Sequence, residues 1–145
     1  MMAAPESKDD NIRKFEEIGT HPAAPFLAIA EALTFHQGIG AKRKEERLRY
    51  LRNYWALRLL KNDRITLNTS LKPEFSCGLA TVRIAGVDPS KLTQYLWNQH
   101  RIIVVPINHK EFQGLRVTPN VYTLLEQLDR FCEAIEWVVK NGLPS

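Results

Sequence analysis

Arg116 stands between Leu115 and Val117 in GLRVTPNVYT, residues 114–123, a segment that otherwise reads as a short strand running into a helix start at Thr123. Arginine is seldom fully buried without a partner, so this guanidinium calls for solvent or for an anion. A strand-end arginine can hold a carboxylate through two parallel hydrogen bonds. It can equally be a sheet-edge residue reaching water over its own aliphatic stem. The second stretch with chemical potential is EEIGTHPAAP, residues 16–25. Gly19 permits close approach, and Thr20 offers a hydroxyl and a backbone N–H just ahead of a helix. Such groups at a helix start suit a phosphate, and they suit plain N-capping as well. Local sequence leaves both pairs of readings open.

The remaining reactive side chains point to packing. Two cysteines, Cys77 and Cys132, make no disulfide framework. Cys132 falls on the apolar stripe of the last helix, and nothing beside Cys77 marks an activated thiol. His21 next to Pro22 reads as a turn residue. His100 and His109 flank RIIVVPIN without the acidic or cysteine neighbours a metal would need. The basic run AKRKEERLRYLR, residues 41–52, has glutamates interleaved and reads as a solvated helix face rather than a nucleic-acid surface.

These residues must be positioned by alternating helices and strands. Residues 1–12 read as an arm. APFLAIAEALTFHQG, residues 24–38, has helical composition, with Phe26, Ile29, Leu33 and His36 on one side. After Gly38 and Gly40, a helix over roughly 41–62 is predicted from Leu48, Leu51, Trp55 and Leu59. RITLN is a short strand. CGLATVRIAG alternates, with Leu79, Thr81 and Arg83 on one side and Ala80, Val82 and Ile84 on the other. Asp88-Pro89 predicts an N-cap and a first helical position, opening a helix to about His100 with Leu92, Tyr95 and Leu96 inward. RIIVVPI reads as a buried strand ending at its proline, and GLRVT as another strand. Thr123 and Glu126 predict a capping box for a last helix whose stripe runs from Leu125 to Val139 and which Gly142 and Pro144 stop. The order predicts an α+β fold, a small and mostly antiparallel sheet with helices packed on one face. The expected division is an arm or loop over 1–22 and one small domain, with its leading helices, over 23–145.

The chain has 145 residues, 44% hydrophobic and 25% charged, with a net charge of +4. That is enough chain for one real core. The charge permits an acidic partner without demanding one. Its longest apolar runs are far too short to cross a bilayer, and its start has neither the basic nor the apolar part of a secretory signal. A cytoplasmic location with no membrane and no nucleic-acid partner is therefore expected. MMAAPES reads like a loop from inside a longer chain.

Taken together, KFEEIGTHPAAPFLAIAEAL and, about ninety residues on, GLRVTPNVYTLLEQLDRF resemble the carboxy-terminal part of class V aminotransferase-family enzymes. These depend on pyridoxal phosphate, and the nearest flavour is the group of isopenicillin N epimerases, cysteine desulfurases and selenocysteine lyases. The resemblance implies the small domain of a fold-type-I enzyme, a homodimer, and an amino-acid-like substrate. It implies that Gly19 and Thr20 contact the cofactor phosphate across the dimer interface, and that Arg116 binds the substrate α-carboxylate. The family's Schiff-base lysine lies in a Ser/His-Lys motif upstream of the matched region, so the resemblance implies a chain that lacks it and is inactive alone. Many relatives carry histidine where this chain has Asn120, and the loop PINHKEFQG lacks the cysteine of a desulfurase. The competing expectation is a free-standing α+β binding or regulatory module using its basic helix. The strands lack the exposed aromatics that sheet-surface RNA recognition uses, which disfavours one form of it.

Overall fold

A computed structural model describes residues 22–144. The chain divides into two compact units, residues 1–39 and residues 40–145. In the first, helix α1 spans Ala23–Ile39 and buries none of its residues. Phe26, Ile29 and Leu33 lie along one line, as expected, but Leu27 and Phe35 project elsewhere and are also exposed. An apolar circumference of this kind belongs to a helix meant to be covered.

The second unit opens at Gly40, whose φ of +85° suits a residue without a Cβ. It continues as α2 (Ala41–Leu59), β1 (Ile65–Leu67), β2 (Ala80–Ile84), α3 (Pro89–His100), β3 (Val105–Asn108), β4 (Gln113–Val117) and α4 (Leu125–Asn141). The four strands form one antiparallel sheet in the order β1-β2-β4-β3. The last strand thus inserts between β2 and β3, which α3 connects, in a split βαβ arrangement. Ala80, Val82, Ile84, Leu115 and Val117 join Leu92 and Leu96 of α3, Leu51, Trp55 and Leu59 of α2, and the α4 stripe in a single core. Trp55 meets Phe131 edge-on, with ring centroids 5.7 Å apart. The alternation of side chains along a strand leaves Thr66, Thr81, Arg83 and Arg116 on the other face. The expected α+β fold is the observed one.

Local details differ where neighbours decide them. RIIVVPI does not end at its proline: Ile102–Val104 is irregular, and β3 begins at Val105 and runs through Pro106. β3 is an edge strand, where a residue without an N–H is tolerated. Thr123 and Glu126 form no capping box. Thr123 Oγ1 accepts from the Asn120 amide at 2.9 Å, and α4 starts two residues later with Gln127 Oε1 accepting from the Leu124 amide at 3.0 Å. The Asp88 cap holds as read, its Oδ1 2.8 Å from the Lys91 amide. Among the described residues no helix is long and apolar enough to cross a membrane.

Candidate active-site face

β4 carries Arg116 in the middle of the sheet, paired with Thr81 of β2 on one side and Val105 of β3 on the other. Its neighbours Leu115 and Val117 are buried, so alternation turns Arg116 outward, away from the helices, and its side chain is exposed. It makes no hydrogen bond or ion pair with any described residue. None of the four strands contains Asp or Glu. The guanidinium is therefore a central-strand cation with no counter-charge on its own sheet.

The floor around it is narrow. A Cβ at Gly114, two residues before Arg116, would come within 2.5 Å of the Val82 carbonyl oxygen and 3.0 Å of Thr81 Cγ2. Only hydrogen fits there. Thr81 is buried, its amide donating to Thr69 Oγ1 at 3.0 Å.

The loops at the end of β4 and before β2 are held by α2. Arg47 donates to the carbonyls of Val121 (3.4 Å) and Thr123 (3.1 Å). Arg49 reaches Ser76 O (3.3 Å) and Pro73 O (2.8 Å) and pairs with Glu45. Arg52 is buried and donates to Asn53 Oδ1, Leu71 O and Ser76 Oγ, all neutral acceptors. Burial, with Arg49 nearby, lowers its pKa from the ordinary arginine value. The expected solvated basic face thus holds for Lys42 and Arg43, which are exposed, and fails for Arg47, Arg49 and Arg52. Interior carbonyls left by irregular chain need donors, and these arginines supply them. Farther along α2, Arg58 forks onto Glu136 (2.8 Å twice) and Asp129 (3.0 Å) of α4. That pairing holds Glu136 below the usual carboxylate range.

The other singled-out groups serve structure. Cys132 is buried, 3.8 Å from Trp55 O, and burial pushes its thiol up to about 12. Cys77 is half-buried in the loop that Arg49 and Arg52 hold, its Sγ 4.0 Å from Glu45 O. His100 shares a hydrogen bond with Tyr95 OH at 3.2 Å, and His109 Nδ1 lies 3.2 Å from the Glu111 amide. No metal-holding cluster occurs among the described residues. Gly19, Thr20 and His21 lie outside the described residues. The residue that sequence reading passed over is Arg83, an exposed cation on Arg116's face without a described partner. The alternation of CGLATVRIAG had already put it on the side of Thr81.

A split βαβ sheet with helices on one face and two exposed arginines, Arg83 and Arg116, on the other is the α+β unit this sequence builds. The family described as Aminotransferase class-V matches residues 4–110, most of the chain, and the chain belongs to that family. The match stops short of Arg116. Isopenicillin N epimerase of Streptomyces clavuligerus is 30% identical over 126 residues, 86% of this chain and 32% of that protein. Isopenicillin N epimerase of Amycolatopsis lactamdurans is 30% identical over 132 residues, 90% of this chain and 33% of that protein. Among solved structures, alanine–glyoxylate aminotransferase from Nostoc sp. superposes with a TM-score of 0.66 at 26% identity, over 83% of this chain and 32% of that one. The chain spans about a third of the length of these relatives.

Proposed function

We propose that this chain is the carboxy-terminal small domain of a pyridoxal-phosphate enzyme acting at the α-carbon of an amino-acid substrate, with Arg116 binding the substrate carboxylate. The observation that carries the reading is the exposed Arg116 on a central strand, without a partner among the described residues and with no acid in its sheet. A planar fork of donors matches a carboxylate in two hydrogen bonds and fixes its orientation. The described residues fit the substrate half of such a site. The phosphate half falls to Gly19 and Thr20, with residues 1–22 as the connecting arm and a second copy completing the site in a homodimer. When bound, pyridoxal phosphate supplies the electron sink for chemistry at the α-carbon. This chain's part is to orient the substrate and to fix the loops around it through Arg47, Arg49 and Arg52. The Schiff-base lysine is assigned to a preceding domain, so the chain alone is inactive. Both curated relatives are named as epimerases, which favours inversion at the α-carbon over lyase or desulfurase chemistry. The position of Cys77, tucked against α2 before β2, also weighs against a persulfide role. The alternative of a free-standing basic module loses its main support, because three of the helix's arginines are engaged within the fold.

The test is a ¹⁵N NMR titration of the chain with L-alanine and with acetate. Saturable shifts are expected at the amides of Leu115–Thr118. Arg116→Lys keeps the charge but loses the fork, and is expected to weaken binding about fivefold, the scale of an exposed ion pair. Equal binding by wild type and Arg116→Lys would overturn the carboxylate assignment.

A further inference from the structure

Resting on the reading of Arg116 above, we infer that the substrate carries a second anionic group, a side-chain carboxylate, and that Arg83 reads it. The β2–β4 register pairs Thr81 with Arg116 and Val82 with Leu115, which sets Arg83 opposite Gly114. On the open face, Arg83 and Arg116 therefore stand at opposite corners of a square whose other corners are Thr81 and Gly114. Such diagonal neighbours are about 7–8 Å apart. Both arginines are exposed, and neither has a hydrogen bond or ion pair with a described residue.

Neither of the other two corners carries a charge or a long side chain. Thr81 is buried, and Gly114 presents no side chain and admits none, given the Val82 carbonyl 2.5 Å from where its Cβ would be. Asp88, the acid nearest Arg83 in sequence, shares with it the lining of a recess at the α3 end of β2 that Arg116 does not reach. Asp88 is already engaged as the α3 cap, accepting from Lys91. Two like charges at this spacing repel, and nothing in the strands offsets them. A dianion bridging the corners would relieve that repulsion and satisfy both forks. A five- or six-carbon diacid separates its carboxyl carbons by about 5–6 Å when extended, so two arginine stems rising side by side from corners about 7–8 Å apart meet its two ends by leaning slightly together. The ligand class is thus an amino acid with a terminal carboxylate three or four carbons from its α-carbon.

The experiment compares acetate, malonate, glutarate and adipate as probes in NMR titrations of the 145-residue chain. Glutarate and adipate are expected to bind about fivefold tighter than acetate, the increment of a second exposed ion pair, and malonate to gain less. Amides of Thr81–Ile84 and Gly114 should shift with the longer diacids. Arg83→Gln is expected to abolish that advantage, while Arg43→Gln, an equal loss of charge on exposed helix surface, preserves it. The inference is overturned if glutarate binds no tighter than acetate, if Arg83→Gln retains the wild-type ratio, or if Arg43→Gln reduces the ratio as much. Arg116→Gln separates the two readings. If both acetate and glutarate still bind that variant as wild type, it is the carboxylate role of Arg116 that fails.

Discussion

At the scale of single residues, the site depends as much on an absent side chain as on a charged one. Gly114 is required because β4 runs so close to β2 that a Cβ would meet backbone, the Val82 carbonyl, which cannot swing aside. Gly114→Ala is expected to destabilise the fold by about 1–3 kcal/mol, the usual range for forced overpacking. Equilibrium urea unfolding checks this, and an unshifted midpoint would show that the strands separate easily there. The same closeness keeps the floor beside Arg116 flat, so the substitution should also disturb carboxylate titrations. The two thiols divide along burial. Cys132, pushed to about 12 in the core, is protected from chemistry at neutral pH.

At the scale of elements, α2 is a clasp. Its apolar stripe, Leu51, Trp55 and Leu59, enters the core, while its arginines take the carbonyls of two irregular segments and the carboxylates of α4. The Arg58–Glu136 fork gives a pH signature. Arg58 depresses the Glu136 carboxyl in the folded state below its ordinary value of 4.5. The stabilisation is therefore present above that value and is lost as pH falls through the folded one. Because both side chains are substantially exposed, its size is about 0.5–1 kcal/mol. Glu136→Gln is expected to lower stability by that amount near pH ~7, and the deficit is expected to shrink at a second, acid pH below the folded carboxyl's value. Denaturant melts at the two pH values measure the difference. An equal deficit at both would assign the effect to packing instead of charge.

For the whole molecule, α1 has the strongest consequence. Phe26, Leu27, Ile29, Leu33 and Phe35 are all exposed on a helix that buries nothing. Apolar surface of this kind drives association, and a second copy of the chain, as in the homodimer proposed above, would provide cover. Sedimentation velocity is expected to show the chain as a dimer or small oligomer, with Phe26→Glu and Leu33→Glu together shifting it toward monomer. A monomer over a hundredfold concentration range in the wild type would remove α1 as an association surface.

What the sequence determined by itself was everything carried by short-range periodicity. The inward stripes of α2 and α4, the alternation of β2, the Asp88-Pro89 helix start and the Gly142 stop are each written within one element, because a 3.6- or 2-residue repeat states which face must leave water. Only the tertiary structure decided which strands pair. With β4 between β2 and β3, Pro106 lies at a tolerant edge, Arg116 takes a central position, and Arg83 becomes its diagonal neighbour. Likewise only the fold shows that Arg47, Arg49 and Arg52 face chain carbonyls, since their acceptors lie 19 to 76 residues away. Periodicity encodes the direction of a side chain relative to its own backbone. Its partner is chosen by contacts between distant segments, whose free energy appears only once the core has brought them together.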